Sequence, residues 1–337
     1  MNLTTTYLGL TLRNPIVPAS SPLSRTPGEL RRMEDAGAGA VTLFSLFEEQ
    51  IEHETEMMGH YLDYGAESYS ESLSFFPPPE SYHRGPEQYL ELIRKGKESL
   101  EVPVIASLNG ASMGGWTQYA KEIEQAGADA LELNIYWIET DPLVTSNQVD
   151  ERYREIVAAV AGAVKIPVTV KIGPYFSSLP NLAKNLYESG AHGMVLFNRF
   201  YQPDFDVEAR EVRPKIEWSS SYELRLPLHW VALLSDWIDL DFAVSSGVHN
   251  RTDVVKAMMA GAKVATCASV LLDRGVEYVG KLVSGLEEWL ESHEYTSVAQ
   301  MQGSMSYKRV ANPSAFKRAN YMKELQSFPP PPPALRR

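Results

Sequence analysis

The sequence predicts an α/β protein of the (β/α)₈ TIM-barrel class, carrying an inserted β-hairpin and a C-terminal helical extension. Three observations lead there. Short continuous apolar runs, of the kind that form strands buried on both faces, alternate with amphipathic segments along most of the 337 residues. Eight such runs occur at the spacing of a parallel barrel, each followed by a helical segment. No G-x-G-x-x-G follows the first run, which removes the main sign of an open, doubly wound dinucleotide-binding sheet.

Taken in order, Ile16–Ser20 reads as the first strand and Thr26–Gly37 as a helix, with Pro27 at its first turn and Gly37 past its end. Ala40–Leu46 is a second strand. The stretch Phe47–Gly85, rich in Ser, Tyr and Glu and containing FFPPP, is too long for an ordinary connection and is expected to cover something. PEQYLELIRKGKESL then reads as a helix opened by Pro86, VPVIASLNG as a strand, and SMGGWTQYAKEIEQAG as a helix capped by Ser112. ADALELNIY is a strand and Asn147–Val164 a helix. The β-branched run from Pro167 to Gly173 is a strand whose last side chain is the cation Lys171. Leu179–Gly190 is a helix and Gly193–Asn198 a strand. In Arg199–Leu226 polar and apolar residues alternate, as in an inserted β-hairpin. Pro227–Trp237 is helical, Leu240–Ser245 a strand, Thr252–Ala260 a helix, Ala262–Ser269 a strand and Gly275–Ser292 a long helix. The expected divisions are a barrel over 1–292, a helical extension over 293–325 and a proline-rich tail over 326–337. The extension carries the cluster Lys308, Arg309, Lys317, Arg318 and Lys323, expected as a solvated helical face.

Composition narrows the function. With 31 Lys and Arg against 43 Asp and Glu, the net charge of −12 argues against a nucleic-acid partner, since phosphate backbones call for clustered cations. Cys267 is the single cysteine, which excludes an intrachain disulfide, a CxxC redox pair and an iron–sulfur cluster held by this chain alone. Redox chemistry would therefore need an organic cofactor. The N-terminal MNLTTTYLGLTLRNP lacks a signal-peptide pattern, and no run approaches the ~20 apolar residues of a membrane span, so a cytoplasmic protein without membrane partners is expected.

Polar or small residues stand where each apolar run stops: Ala19 and Ser20, Asn109, Asn134, Lys171, Asn198, Ser245–Ser246–Gly247, and Ala268–Ser269. In a parallel barrel these positions share one mouth, where chemistry is done. The last two groups precede the final helices, the usual place for a phosphate, because small residues let backbone N–H groups approach it. A phosphorylated cofactor is expected there.

These residues also carry a resemblance. NPIVPASSPLS, the strand ending LELN, VTVKIGPY, LFN, SSGV before a helix and GAKVATCAS resemble, in order and spacing, segments of the dihydroorotate dehydrogenase family, from about Leu3 to Leu272. The resemblance implies a (β/α)₈ barrel that holds FMN at its mouth and oxidises dihydroorotate to orotate, a step of pyrimidine biosynthesis. It implies that Ala19 and Ser20 lie against the flavin and that Asn109 and Asn134 bond the ring edge. Lys171 would face N1 and O2 of the ring and stabilise its anionic reduced form. Phe197 and Asn198 would meet ribityl and substrate, Ser246, Gly247, Ala268 and Ser269 the phosphate, and Ser221 a further part of the flavin.

Three departures from the family pattern stand out. The family's lysine near the end of the second strand is replaced by Phe44. Its catalytic base, a Cys or Ser three residues after the fourth-strand asparagine, is replaced by Trp137, and its second asparagine by Glu139. Indole cannot accept the proton that must leave when hydride goes to a flavin. Glu139, and after it Tyr136, are the substitute bases to consider, with Phe44, Asn134, Trp137, Asn198 and Arg199 on the substrate side. The leading expectation is an FMN-dependent oxidoreductase acting on dihydroorotate or a related small dihydro-substrate. A partner protein or a soluble acceptor would reoxidise the flavin, and assembly into a homo-oligomer is left open. Two alternatives use the same residues: a Schiff-base aldolase-type barrel with Lys171 as nucleophile, and a non-catalytic flavin-binding subunit whose basic C-terminal segment meets a partner.

Overall fold

The computed structural model of the protein describes residues 1–48, 86–110, 112–199, 202–213 and 217–327. Of the covering stretch expected over Phe47–Gly85, residues 49–85 lie outside the described residues, as does the proline-rich tail expected over 326–337 from residue 328 onward; Gln326 and Ser327 instead belong to the last described helix.

Among the described residues, twelve strands form three sheets. β1 (Thr5–Tyr7) and β2 (Leu10–Leu12) make a short antiparallel hairpin. β9 (Asp204–Asp206) and β10 (Glu211–Arg213) make a second, the hairpin expected after the sixth barrel strand. The remaining eight are parallel: β3 (Ile16–Pro18), β4 (Val41–Phe47), β5 (Val104–Asn109), β6 (Ala130–Asn134), β7 (Val168–Ile172), β8 (Gly193–Leu196), β11 (Asp241–Val244) and β12 (Val264–Cys267). Their order is β3-β12-β11-β8-β7-β6-β5-β4. Gly39 N–H donates to Ile16 O at 2.8 Å and Ser20 Oγ lies 3.1 Å from Ser45 Oγ, so β3 and β4 approach one another where the sheet closes on itself. A parallel sheet with helices outside and its ends brought together is the (β/α)₈ barrel.

The outer layer contains α1 (Pro27–Asp35), α2 (Pro86–Ser99), α3 (Met113–Gln125), α4 (Ser146–Ala163), α5 (Leu179–Glu188), α6 (Arg225–Leu234) and α7 (Arg251–Ala260). α8 (Ser269–Arg274) and α9 (Tyr278–Ser292) follow β12. Their starts follow from local chemistry. Thr26, Thr145 and Asn250 build reciprocal capping boxes with Glu29, Gln148 and Asp253, and Ser112 accepts the Gly115 N–H at 2.9 Å. The long helix expected over Gly275–Ser292 is α9, which begins at Tyr278; α8, not set apart in the sequence, precedes it and ends at Gly275, whose φ is 85°.

Among the described residues, two cores divide the buried apolar side chains. The larger lies between barrel and helices and includes Leu43, Leu108, Leu133, Val170 and Phe242. The smaller fills the barrel floor, where the β1–β2 hairpin inserts Tyr7, Leu8 and Leu12 against Val17, Ile105, Val195 and Val264. The hairpin is fixed from inside. Tyr7 Oη donates to Thr169 Oγ1 at 3.3 Å and Leu8 N–H to Asp241 Oδ2 at 2.7 Å. Burial pushes the Tyr7 phenol well above its ordinary range, so it stays protonated. The barrel is therefore closed below with apolar groups, and its polar interior is confined to the upper end.

Beyond α9, residues 297–327 run back over the outer helices, with α10 (Val298–Met301), a 3₁₀ turn at Pro313–Phe316 and α11 (Arg318–Ser327). Part of the basic cluster is used within the chain. Lys308 Nζ reaches Asp236 O at 2.5 Å and sits 4.3 Å from the Trp237 ring, and Arg309 lies 3.8 Å from Asp236.

Candidate active site at the barrel mouth

In β-strands side chains two apart share a face, so the inward residues of neighbouring strands build layers inside the barrel. In the upper layers these residues are polar. Ser45 of β4, Ser107 of β5, Glu132 and Asn134 of β6 and Lys171 of β7 are all buried. They form one connected line. Ser45 Oγ lies 2.8 Å from Ser107 Oγ, Ser107 Oγ donates to Glu132 Oε1 at 3.2 Å, and Lys171 Nζ lies 3.5 Å from the same oxygen. A branch rises to the mouth. Asn134 Nδ2 donates to Ser45 Oγ at 3.2 Å, and Asn198 Nδ2 donates to Asn134 Oδ1 at 2.7 Å. Ser20, half-buried, joins through Ser45.

Sequence reasoning missed Glu132, Ser45 and Ser107. A signal was present: Glu132 interrupts an apolar strand two residues before Asn134, and Ser107 stands two before Asn109, so each shares its partner's face. An ion pair this deep is expensive to desolvate and survives only when its remaining hydrogen-bonding capacity is met, here by Ser107.

A second polar cluster lies at the ends of β11 and β12. Ser246 and Gly247 adopt φ of 73° and 85°, and a Cβ on Gly247 would stand 2.3 Å from Leu224 N, so only glycine is accommodated. Gly247 N–H donates to Ser219 Oγ at 3.3 Å, Ser219 N–H to Ser269 Oγ at 3.2 Å, and Ser219 Oγ lies 3.0 Å from His249 Nε2. Burial lowers the His249 pKa from its ordinary value. Ser221 is turned to the side, donating to Asp253 Oδ2 at 2.6 Å. Ser246 Oγ donates to Phe197 O at 3.4 Å. Phe197 is buried and Arg199 half-buried, and Asn198, Arg199 and Ser246 share with Tyr222 and Arg225 the wall of a cavity of about 570 Å³ beside the mouth.

The residues at the three departures lie outside the inner layer, with Trp137 and Glu139 beside Gly173 on the wall of a cavity of about 340 Å³. The pairing of β4 with β5 shifts register between Thr42 and Ser45, and a bulge of this kind changes which side a residue faces. Phe44 packs edge-on to Tyr89 of α2, ring centres 5.1 Å apart, while Ser45 takes the inward position. Trp137 is 48% exposed. Its indole donates to Glu139 Oε2 at 3.2 Å, and the Arg152 guanidinium lies 4.3 Å from its ring centre. The other Glu139 oxygen accepts the N–H groups of Thr140 and Asp141 at 3.0 and 3.1 Å. The Asp141 N–H first, then, against an opposing desolvation, the Trp137 indole, the Thr140 N–H and Arg152, hold its carboxyl below the ordinary range. Glu139 is thus an ionised but weakly basic carboxylate. Tyr136 is half-buried and borders a cavity of about 370 Å³ shared with Asn109, Trp137 and Arg152. The Cys267 thiol is buried and pushed up to about 12, so it offers no thiolate at neutral pH.

An FMN-sized ligand needs a cation near its ring carbonyls, planar amide donors and acceptors, and backbone N–H groups for its phosphate. Lys171, flanked on the neighbouring strands by Asn134 and Asn198, and the Gly247–Ser269 cluster at the ends of β11 and β12 supply these around the mouth. Above β7, a Cβ placed on Gly173 would meet nothing within 4 Å. The residues present fit the group.

Comparison with known proteins gives the same direction. The family model described as dihydroorotate dehydrogenase matches residues 82–290. The chain is 30% identical over 310 residues to the dihydroorotate dehydrogenase B (NAD(+)) catalytic subunit of Methanocella arvoryzae, covering 86% of this chain and 94% of that one. It is 26% identical to the catalytic subunits of the same name from Methanocaldococcus jannaschii, over 87% of this chain and 95% of that one, and from Pyrococcus abyssi, over 88% and 96%. With the barrel and its polar mouth, these matches establish that the chain belongs to the dihydroorotate dehydrogenase family.

Proposed function

We propose that the protein is an FMN-dependent oxidoreductase acting on the CH–CH group of dihydroorotate or a related small dihydro-substrate, with Trp137 standing where the family has its usual base. The observation that carries this reading is the buried Lys171–Glu132 pair, 3.5 Å apart at the closed end of a hydroxyl and amide network that opens at the mouth. FMN, when bound, supplies the hydride acceptor. Lys171 would hold its ammonium against the ring carbonyls, where negative charge grows on reduction, and a preorganised cation there costs no reorganisation. Asn134 and Asn198, already bonded to each other, would orient ring and substrate with their free donors and acceptors. Gly247 N–H, with the Ser219, Ser269 and His249 groups around it, would receive the phosphate. Trp137 would contribute shape and an apolar rim. Glu139 and Tyr136 are the loop residues that could move a proton, although the donors on Glu139 must first be displaced. The ion pair also supports an electrostatic role for Lys171, because an ammonium bound to a carboxylate has no free electron pair for a carbonyl.

The relatives named as catalytic subunits suggest that another protein accepts the electrons, and a soluble acceptor is the other route. Among the described residues no helix is long and apolar enough to cross a membrane. The test is the visible spectrum of the purified or FMN-reconstituted protein, followed by anaerobic mixing with dihydroorotate. Bound flavin that dihydroorotate reduces slowly or not at all is the expected result. A protein that takes up no FMN overturns the reading, and rapid reduction shows that Trp137 and Phe44 leave dihydroorotate chemistry intact.

A further inference from the structure

Oxidation of a CH–CH bond releases a proton as well as a hydride, and Trp137 cannot receive it. We propose that Glu132 is the proton's destination, reached through the hydroxyls of Ser45 and Ser107. The proposal rests on the flavin reading above.

The hydrogen positions follow from valence. A carboxylate only accepts, so Ser107 Oγ donates its single hydrogen to Glu132 Oε1 at 3.2 Å. Ser107 must then accept at 2.8 Å from Ser45, and Ser45, its hydrogen spent, accepts from Ser20 at 3.1 Å and from Asn134 Nδ2 at 3.2 Å. Each serine hydrogen on this line points toward Glu132. The line has a dry end and a wet end. Glu132, Ser107 and Ser45 are buried, whereas Ser20 and Asn198 are half-buried at the mouth.

The groups facing Glu132 are Lys171 at 3.5 Å, Tyr7 from the barrel floor and Tyr89 from α2, which donates to Ser107 O at 2.9 Å. Burial holds both phenols far above the ordinary range, so neither shares the proton. Lys171 couples the two charges. When the flavin ring gains negative charge, the ammonium has two anions to serve, and a proton on Glu132 returns the site to its original charge.

The atoms balance as follows. One substrate hydrogen leaves carbon with its electron pair and goes to the flavin as hydride. The hydrogen on the neighbouring carbon leaves as a proton to Ser45 Oγ, while the Ser45 hydrogen passes to Ser107 and the Ser107 hydrogen to Glu132. The pair left on carbon forms the C=C bond, and Ser20 or Asn134 releases Ser45 to make room for the incoming proton. Under photoreduction without substrate, the ring takes two electrons from the photodonor and one proton from solvent, and Glu132 takes a second proton from solvent.

The test uses the full chain reconstituted with FMN and photoreduced without oxygen, read by infrared difference spectroscopy in H₂O and D₂O. A protonated-carboxyl C=O band is expected on reduction, shifted in D₂O and absent in Glu132→Gln. Glu132→Asp should keep a displaced band. Ser107→Ala should keep FMN affinity within about twofold, yet slow appearance of the band by roughly a hundredfold, the scale of a lost proton-transfer group. Because Glu132→Gln leaves a lysine buried without its partner, Glu132→Asp and Ser107→Ala decide the matter if that variant does not fold. Flavin that binds and is reduced with no carboxyl band, or with a band unchanged in these variants, overturns the proposal. Failure to bind FMN overturns the flavin reading instead, at the first step and before any infrared measurement.

Discussion

The inner layer of the mouth and the loop after β6 begin one residue apart, at Asn134 and Ile135, and they are built on opposite terms. The inner layer is a network in which Lys171, Glu132, Ser107, Ser45, Asn134 and Asn198 join across five strands or strand ends. The loop Tyr136–Glu139 is exposed at Trp137 and Ile138 and is tied outward by Glu139 and Arg152. Strands fix side chains by register, so a cofactor's electrostatic partners are durable there. Loops tolerate replacement because fewer contacts depend on them, so a family can lose its usual base and keep its barrel.

The sharpest break of that contrast is Lys171→Ala. It removes one partner of a buried ion pair, so a loss of about 3–5 kcal/mol in stability is expected, with FMN affinity falling by about tenfold to a hundredfold. Thermal melting and fluorescence titration check both, and Lys165→Ala, on the exposed side of the same stretch, should change neither. Gly247→Ala comes next. Its φ of 85° and the 2.3 Å approach of a Cβ to Leu224 N predict a loss of about 1–3 kcal/mol. Its FMN binding should weaken while riboflavin binding, which needs no phosphate cradle, holds. Asn198→Ala leaves Asn134 Oδ1 without its 2.7 Å donor and should cost about 1 kcal/mol, read by denaturant unfolding.

The smallest effects belong to the loop. Arg152→Ala removes the cation from the Trp137 face and should cost under about 1 kcal/mol. The Glu139 carboxyl is held below its ordinary value chiefly by the Asp141 N–H, so the folded protein binds its proton less readily than the unfolded chain. Its stabilisation is present above the ordinary carboxylate range and disappears as pH falls through the lowered value. Melting curves of the wild type and Glu139→Gln should therefore differ near neutral pH and converge in acid. A large effect from either loop variant on flavin binding would break the division between layer and loop.

Much of this was legible in the sequence, for local reasons. The apolar runs and caps marked the barrel strands and most helices within a few residues, because each signal lies inside one element. The β1–β2 hairpin was not legible, since TTYLGLTL makes sense as a strand pair only when a barrel floor needs closing. Lys171 was visible because a cation ending an apolar run has no other neighbour in sequence to explain it. Its partner Glu132 was not sought, being thirty-nine positions away.

By itself, then, the sequence determined the parallel barrel, the collar of polar strand ends and the absence of a residue able to act as base at position 137. These depend on residue type and on periods of two and 3.6 within one segment. Tertiary structure alone decided that Glu132 faces Lys171, that three serines from β4, β5 and the end of β3 join it, that Phe44 packs against Tyr89, and that Trp137 stands half-exposed on the loop after β6. The reason is register: a strand's inward phase is set by its hydrogen-bonded neighbours, and one irregularity between Thr42 and Ser45 exchanges a phenyl ring for a hydroxyl.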